Sequence, residues 1–295
     1  MLRLLKSRLS FYFKEEAFDR RNMDLERKKH RYEALDSIRG AVLISMILYH
    51  ACWDLVYIFE KDFGWYQGHG AYIWQQSICW TFILLSGFCW SLGKEPVRRG
   101  IIVFMAGAVV SLVTIIFMPE DRVIFGVLTL IGSCMLLMVP IKKVLEKVDA
   151  GWGFFFSILL FVLTRNVNKG YLGFEGWNLI RIPEVLYRGN IMTFLGFAEP
   201  DFFSTDYFSL MPWFFLFLSG YFLYCMIGGN IYRRDTVSEI CDKQEKKNKK
   251  QIMDRYLTKG WKPLSFLGKN SLIIYLIHQP VIYGIFVLLD RFSLL

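Results

Sequence analysis

The stretch ALDSIRGAVLISMILYHACWDL, residues 34–55, decides the fold. It is apolar for most of its length, and about 20 such residues in a helix are enough to cross the hydrocarbon core of a bilayer. The same stretch carries ionisable side chains at Asp36, Arg39, His50 and Asp54. Ionisable residues are costly inside a membrane, so within a predicted span they indicate function.

Further apolar segments follow along the chain, in which 54% of the 295 residues are hydrophobic. The predicted spans are 38–60, 71–93, 100–118, 123–141, 151–165, 207–228 and 268–289. Lipid cannot hydrogen-bond to open backbone groups, so each span is expected to be helical. The sequence therefore predicts an all-α integral membrane protein, a bundle of about seven transmembrane helices.

The placement of Lys and Arg predicts the orientation. Most of the 35 basic residues lie on one side if the N-terminus is cytoplasmic, in segment 1–33 and in the charged loop 229–262, whereas the long outer loop 166–206 holds few. This is the positive-inside bias, so the net charge of +9 is a topology signal, and no nucleic-acid partner is expected. A basic cytoplasmic segment, without a cleavable signal peptide, is thus expected to precede one multi-pass domain, 34–295, in the cell membrane.

The ionisable residues of the first span form a stripe. His50 follows Arg39 after about three turns, which places the two within roughly 20° of one face and about 16 Å apart along the axis. Asp54 follows His50 by one turn on that face. Arg39 would hold a phosphate at the inner surface, His50 would take a proton from an acceptor hydroxyl or amine, and Asp54 would orient the imidazole. The alternative, that His50 and Asp54 only hydrogen-bond neighbouring helices, stays open.

The last predicted span, 268–289, begins with GKNSLIIYLIHQP at 268–280 and carries a second histidine. His278 lies about 15 Å beyond Gly268 along the helix axis, the depth expected for His50. It would bind substrate or share the catalysis, with a packing hydrogen bond as the alternative. Asn270 and Ser271, at the inner end of this span, join Arg39 and Asp36 as candidate donor-binding residues.

His69 lies in the first outer loop, within WYQGHGAY. A histidine there would meet an acceptor that arrives from outside, although an interfacial histidine among aromatic residues is an equal alternative. The spacing of His50, Asp54, His69 and His278 matches no zinc motif, and the cysteines show no CxxC spacing. No metal site is therefore expected.

These residues carry a resemblance. Arg39 followed by His50 resembles the Arg-x10-His pattern of transmembrane acyltransferases, and the closer likeness is to the heparan-alpha-glucosaminide N-acetyltransferase catalytic-domain family. The resemblance covers about 31–290, in motifs whose order and spacing together are moderately specific. The motifs are ALDSIRG at 34–40, FILLSG at 82–87, RVIFGVLTLIG at 122–132, MPWFFLFLSG at 211–220 and GKNSLIIYLIHQP at 268–280.

The resemblance implies a multi-helix enzyme that takes an acetyl group from cytoplasmic acetyl-CoA, or another acyl-CoA, and delivers it to a sugar or glycan outside. It also places a catalytic histidine in the following outer loop, where this chain has His69. In the lysosomal member of the family, the position that matches His50 is asparagine. That departure leaves open whether His50, His69 or both act here. The large luminal N-terminal portion of the lysosomal member has no counterpart, so heparan is not the expected acceptor.

Two other functions stay in view. A proton-coupled secondary transporter would use His50, Asp54 and His278 as an intramembrane relay. Transporters usually show inverted repeats, whereas FILLSG at 82–87 and FLFLSG at 215–220 are predicted to lie in spans of the same direction. A membrane scaffold would leave the intramembrane charges unexplained. The expected partners are acyl-CoA, a glycan acceptor and the bilayer, and a homo-oligomer stays open.

Overall fold

The computed structural model describes residues 32–228 and 257–292. The predicted cytoplasmic segment 1–33 and the predicted charged loop 229–262 therefore lie mostly outside the described residues. The described α-helices are α1 (Glu33–Tyr57), α2 (His69–Trp90), α3 (Pro96–Phe117), α4 (Val127–Leu145), α5 (Ala150–Thr164), α6 (Asn190–Leu195), α7 (Leu210–Gly228), α8 (Lys262–Lys269) and α9 (Ser271–Arg291). The mostly helical fold is the one that the sequence predicted.

Six candidate membrane spans satisfy the length and composition criteria within the described residues: Glu33–Tyr57, Pro96–Phe117, Val127–Leu145, Ala150–Lys169, Leu210–Ile227 and Ser271–Arg291. The predicted span 71–93 corresponds to α2, which has 22 residues but is not among the six. Gln75 and Gln76 lower the hydropathy of this helix. The count of seven spans and the cytoplasmic N-terminus both stay predictions.

The predicted outer loop 166–206 contains regular structure that the sequence did not indicate. Strands β1 (Tyr171–Phe174) and β2 (Trp177–Arg181) pair antiparallel as a hairpin. The side-chain amide of Asn166, at the end of α5, donates to the carbonyl oxygens of Glu175 and Trp177 at 2.7 and 3.1 Å. The hairpin is thus tied to the end of α5. We call this end of the molecule the hairpin end, and the end where α1 begins the Arg39 end.

Helices α2 and α7 cross in direct backbone contact. A Cβ atom added to Gly87 would lie 1.9 Å from the carbonyl oxygen of Phe217, and one added to Gly220 would lie 2.0 Å from that of Leu84. One turn beyond Leu84 and Gly220, Phe88 packs on Tyr224, at 5.5 Å between ring centroids. The two helices therefore run in the same direction, and the repeated Leu-Ser-Gly motif supplies both sides of one crossing.

Glycines also join α1 to α8. Gly40 meets the carbonyl of Leu264 and Gly268 meets that of Asp36, with added Cβ atoms at 2.1 and 1.8 Å from the two oxygens. Because α9 continues from α8 after Asn270, this contact sets the position of α9 beside α1. The two helices that carry His50 and His278 are thereby brought together.

Substitution of Gly87 by alanine is expected to destabilise the bundle, because the added methyl group meets backbone that cannot rotate away. Overpacking of this kind costs about 1–3 kcal/mol. The matched control is Gly284→Ala in α9, where an added Cβ meets nothing within 4 Å. We expect the melting temperature of the detergent-purified Gly87→Ala protein to fall by several degrees and that of Gly284→Ala to hold or rise. Equal melting of the two variants would contradict the close crossing.

Candidate active site

His50 on α1 and His278 on α9 face each other. Their ring centroids are 5.0 Å apart, with 59° between the ring planes. His278 is buried, with 8% of its surface exposed. The equal depth expected from helix spacing is therefore realised as a direct pairing of the two imidazoles.

The tautomer of His278 follows from its surroundings. Its Nδ1 lies 2.5 Å from the carbonyl oxygen of Tyr275. A carbonyl oxygen only accepts hydrogen bonds, so Nδ1 carries a proton, and in the neutral imidazole Nε2 then carries the lone pair. Nε2 is buried and has no hydrogen-bond partner among the described residues. His278 is therefore held with a free basic nitrogen, the form that a general base requires.

Asp54 lies beside this pair but is bonded to α9. Its side chain is fully buried, and its Oδ1 accepts a hydrogen bond of 2.5 Å from the amide of Gln279. Among the described residues Asp54 makes no hydrogen bond to His50, so its predicted role in orienting that imidazole stays a prediction. Its Oδ2 and the Oε1 of Gln279 are buried without partners in the same region, which leaves two acceptors for groups of a substrate.

The candidate donor-binding residues gather at the Arg39 end. Arg39 lies 3.5 Å from Asp36, a buried residue whose backbone contacts Gly268. Asn270 donates to the carbonyl of Phe266 at 3.0 Å and separates α8 from α9, which begins at Ser271. Arg39, Asp36, Asn270 and Ser271 are thus at one end of the α1, α8 and α9 contact. They lie on the N-terminal side of both histidines.

His69 lies apart from the histidine pair. It is the first residue of α2, it is exposed, and it stacks on Tyr72 with 6.1 Å between ring centroids. The hydroxyl of Tyr72 donates to Glu175 of the segment between the strands at 2.9 Å. Glu175 also pairs with Arg165 at 3.2 Å. His69 therefore belongs to a polar network on the surface of the hairpin end.

Arg165 is a residue of this network that the sequence analysis did not single out. It donates to the side chain of Gln76 at 2.8 Å, and its guanidinium stacks over Trp213 at 4.8 Å. The sequence signal was an arginine directly after a short apolar span, within the Phe-Val-Leu-Thr-Arg stretch at 161–165. Arg165 joins α2, α5 and α7 at the hairpin end of the bundle.

Asp206 is a second residue that the sequence analysis did not single out. It precedes α7, and its carboxyl group is buried although the residue as a whole is partly exposed. It accepts a long hydrogen bond, 3.4 Å, from the backbone N–H of Val127 at the start of α4. Cys79 of α2 and Tyr275 of α9 lie close enough to interact with it electrostatically. Burial raises the pKa of Asp206 to about 6, against a smaller opposing effect of the Val127 N–H.

Within residues 32–228 and 257–292 no group of three or more His, Cys, Asp or Glu side chains is arranged to hold a metal ion. The described site carries imidazole, carboxylate, amide and guanidinium groups. On α1 these groups begin with Arg39 and Asp36 and continue to His50 and Asp54, which contact His278 and Gln279 of α9.

Comparison with known proteins identifies a family. A protein-family model described as heparan-alpha-glucosaminide N-acetyltransferase, catalytic, matches residues 31–280. The matched range covers most of the chain and includes both members of the histidine pair. No curated protein and no solved structure matches.

The raised pKa of Asp206 predicts a pH dependence of stability. The folded state binds this proton more tightly than the unfolded state, whose carboxyl has a pKa near 3.8. Stability is therefore expected to fall as the pH rises from about 4 to about 6, because the unfolded state releases the proton first. Asp206→Asn removes this loss, so its melting temperature should gain on the wild type over that range. Asp201→Asn, on an exposed part of the same segment, is the control, and parallel curves for wild type and Asp206→Asn would refute the assignment.

Proposed function

Because this chain belongs to the heparan-alpha-glucosaminide N-acetyltransferase catalytic family, we propose that it moves an acetyl group from cytoplasmic acetyl-CoA to a sugar or glycan acceptor on the outer face of the plasma membrane. Family membership and the apolar helices make the protein a multi-pass membrane protein of an acetyltransferase family. The donor, the acceptor and the sidedness are the proposed part.

The observation that carries the proposal is the pairing of His50 with His278, in which the Nε2 of His278 is buried and has no hydrogen-bond partner among the described residues. In the proposed reaction this nitrogen takes the proton of the acceptor hydroxyl or amine. The acceptor atom then attacks the thioester carbonyl, the carbon–sulfur bond breaks, and the CoA thiolate leaves. The imidazolium returns its proton to the thiolate. His50, 5.0 Å away, would bind the reacting groups beside this base.

The polar residues on either side of the pair support a direction for the reaction. Arg39 and Asp36 lie towards the end that the positive-inside bias assigns to the cytoplasm. Arg165 and Glu175 lie towards the other end and carry the hydrogen-bonding groups that a glycan would meet. The thioester would thus reach the histidines from the Arg39 end and the acceptor from the hairpin end.

The proton-coupled transporter is favoured by one observation. The buried Oδ2 of Asp54 has no hydrogen-bond partner among the described residues, and Asp54 lies close to two histidines. The parallel crossing of α2 and α7 argues against it, because the sequence echo then relates helices of one direction rather than an inverted repeat. Solute flux into sealed vesicles in the absence of acyl transfer would establish the transporter and overturn the acyltransferase.

The test is acetyl-CoA binding, CoA release and acetyl transfer by the detergent-purified full chain, with His278→Ala, His50→Ala and His69→Ala measured together. Removal of a general base typically costs about 10²–10⁴-fold in rate. We therefore expect His278→Ala to lose at least roughly 100-fold in CoA release while it binds acetyl-CoA as the wild type does. His69→Ala should keep the rate of CoA release.

Two results would contradict the assignment. Unchanged CoA release in His278→Ala together with loss in His69→Ala would move the base to the hairpin end. Failure of the wild type to bind any acyl-CoA, in protein that shows a cooperative melting transition, would remove the acyltransferase function itself. Labelled acetyl recovered on the protein in wild type and not in His278→Ala would place an acyl-imidazole on His278 instead of direct transfer.

A further inference from the structure

Arg99 of α3 joins Arg39 at the Arg39 end of the bundle. The two guanidinium groups are close enough to interact electrostatically. Both also lie within electrostatic range of the thiol of Cys89 on α2. Helices α1 and α3 thus bring two positive charges close to each other, beside the thiol of α2.

The Arg99 guanidinium is held against the backbone, but one of its nitrogens has no hydrogen-bond partner among the described residues. It lies directly over the backbone of Gly93, where an added Cβ would come within 1.3 Å of Nη1. Nη1 is buried and has no hydrogen-bond partner among the described residues. A buried N–H group that donates to nothing costs free energy, so this arrangement is best explained by a ligand that accepts from it.

The charges around the pair define the ligand. Arg39 is paired with Asp36 at 3.5 Å, and Arg99 makes no ion pair in the described part of the chain. Among the described residues, two guanidinium groups with one carboxylate leave a local excess of positive charge. The neighbouring Arg98 differs, since its side chain is 74% exposed and pairs with Glu95 at 3.1 Å. Arg99 is therefore the arginine of this segment that is available to an anion.

We propose that Arg99 and Arg39 together bind a phosphate group, and that this phosphate belongs to the CoA portion of the acyl donor. The planar guanidinium matches the oxygens of a phosphate with two parallel hydrogen bonds, which the ammonium of lysine cannot reproduce. This inference rests on the proposed function. It adds α3 to the donor site, which the sequence assigned only to residues of the first and last spans.

The experiment measures acetyl-CoA binding to the purified full chain as wild type, Arg99→Ala, Arg99→Lys and Arg98→Ala. Hydrogen bonds to charged groups contribute about 1.5–3 kcal/mol, so Arg99→Ala should weaken binding roughly 10- to 100-fold. Arg99→Lys should recover part of this loss, and Arg98→Ala should bind as the wild type does. Equal losses in Arg98→Ala and Arg99→Ala, or no loss in Arg99→Ala, would overturn the proposal.

Binding of acetyl-3′-dephospho-CoA, which lacks the 3′-phosphate, shows which phosphate of CoA the two arginines contact. If the pair binds the 3′-phosphate, wild type and Arg99→Ala should bind this analogue equally. If it binds the pyrophosphate, the loss in Arg99→Ala should persist with the analogue. In either case the CoA phosphate is the ligand.

A lipid headgroup offers the same chemistry and is tested in nanodiscs of phosphatidylcholine with or without phosphatidylglycerol. If Arg99→Ala abolishes stabilisation by phosphatidylglycerol while acetyl-CoA affinity is unchanged, the site is a lipid site and the proposal fails. Gly93→Ala covers the case in which Arg99→Ala does not fold, since it keeps the arginine but displaces it and should weaken acetyl-CoA binding. If the wild type binds no acyl-CoA at all, the proposed function fails first, independently of Arg99.

Discussion

The close approach of helix backbones at glycine is the contact on which the described structure depends. Lipid is as apolar as the side chains it surrounds, so helices in a membrane gain little by hiding leucine from it and associate through close packing instead. In this protein glycines serve the crossing of α2 with α7 and the contact of α1 with α8. The second of these sets the separation of α1 and α9. The 5.0 Å between the imidazoles is therefore a consequence of residues that take no part in chemistry.

The polar groups inside the bundle are of two kinds. Some are satisfied, such as the Oδ1 of Asp54 on Gln279 and the Nδ1 of His278 on the Tyr275 carbonyl. Others, including the Nε2 of His278 and the Nη1 of Arg99, are buried without partners among the described residues. In Asp54 and His278 one atom anchors the side chain while another stays available. This division fits a site that is organised before its substrates arrive.

Helix periodicity was sufficient to predict part of the site. The spacing from Arg39 to His50 and from Gly268 to His278 placed both histidines at one depth, because the rise per residue of a helix is constant. Gln279, Arg99 and Asp206 were not predicted, although Gln279 adjoins His278 in sequence. Their roles depend on which helices touch, and a single sequence with weak motifs does not specify that Arg99 of α3 meets Arg39 of α1. The hairpin was missed for a related reason, since its exposed strand β2 lacks the alternation of a half-buried strand.

The polar contacts between α1 and α9 connect the earliest and the latest helices of the described chain. During biosynthesis α1 is synthesised before α9. Until α9 is in place, the carboxyl group of Asp54 therefore lacks its hydrogen bond to the amide of Gln279. Of the two helices, α9 is the later in the described chain, and it both shields that carboxyl group and completes the pair of imidazoles. A chain released before α9 would lack both the amide that binds Asp54 and the second imidazole. Assembly of the bundle and completion of the candidate site are in that sense a single event.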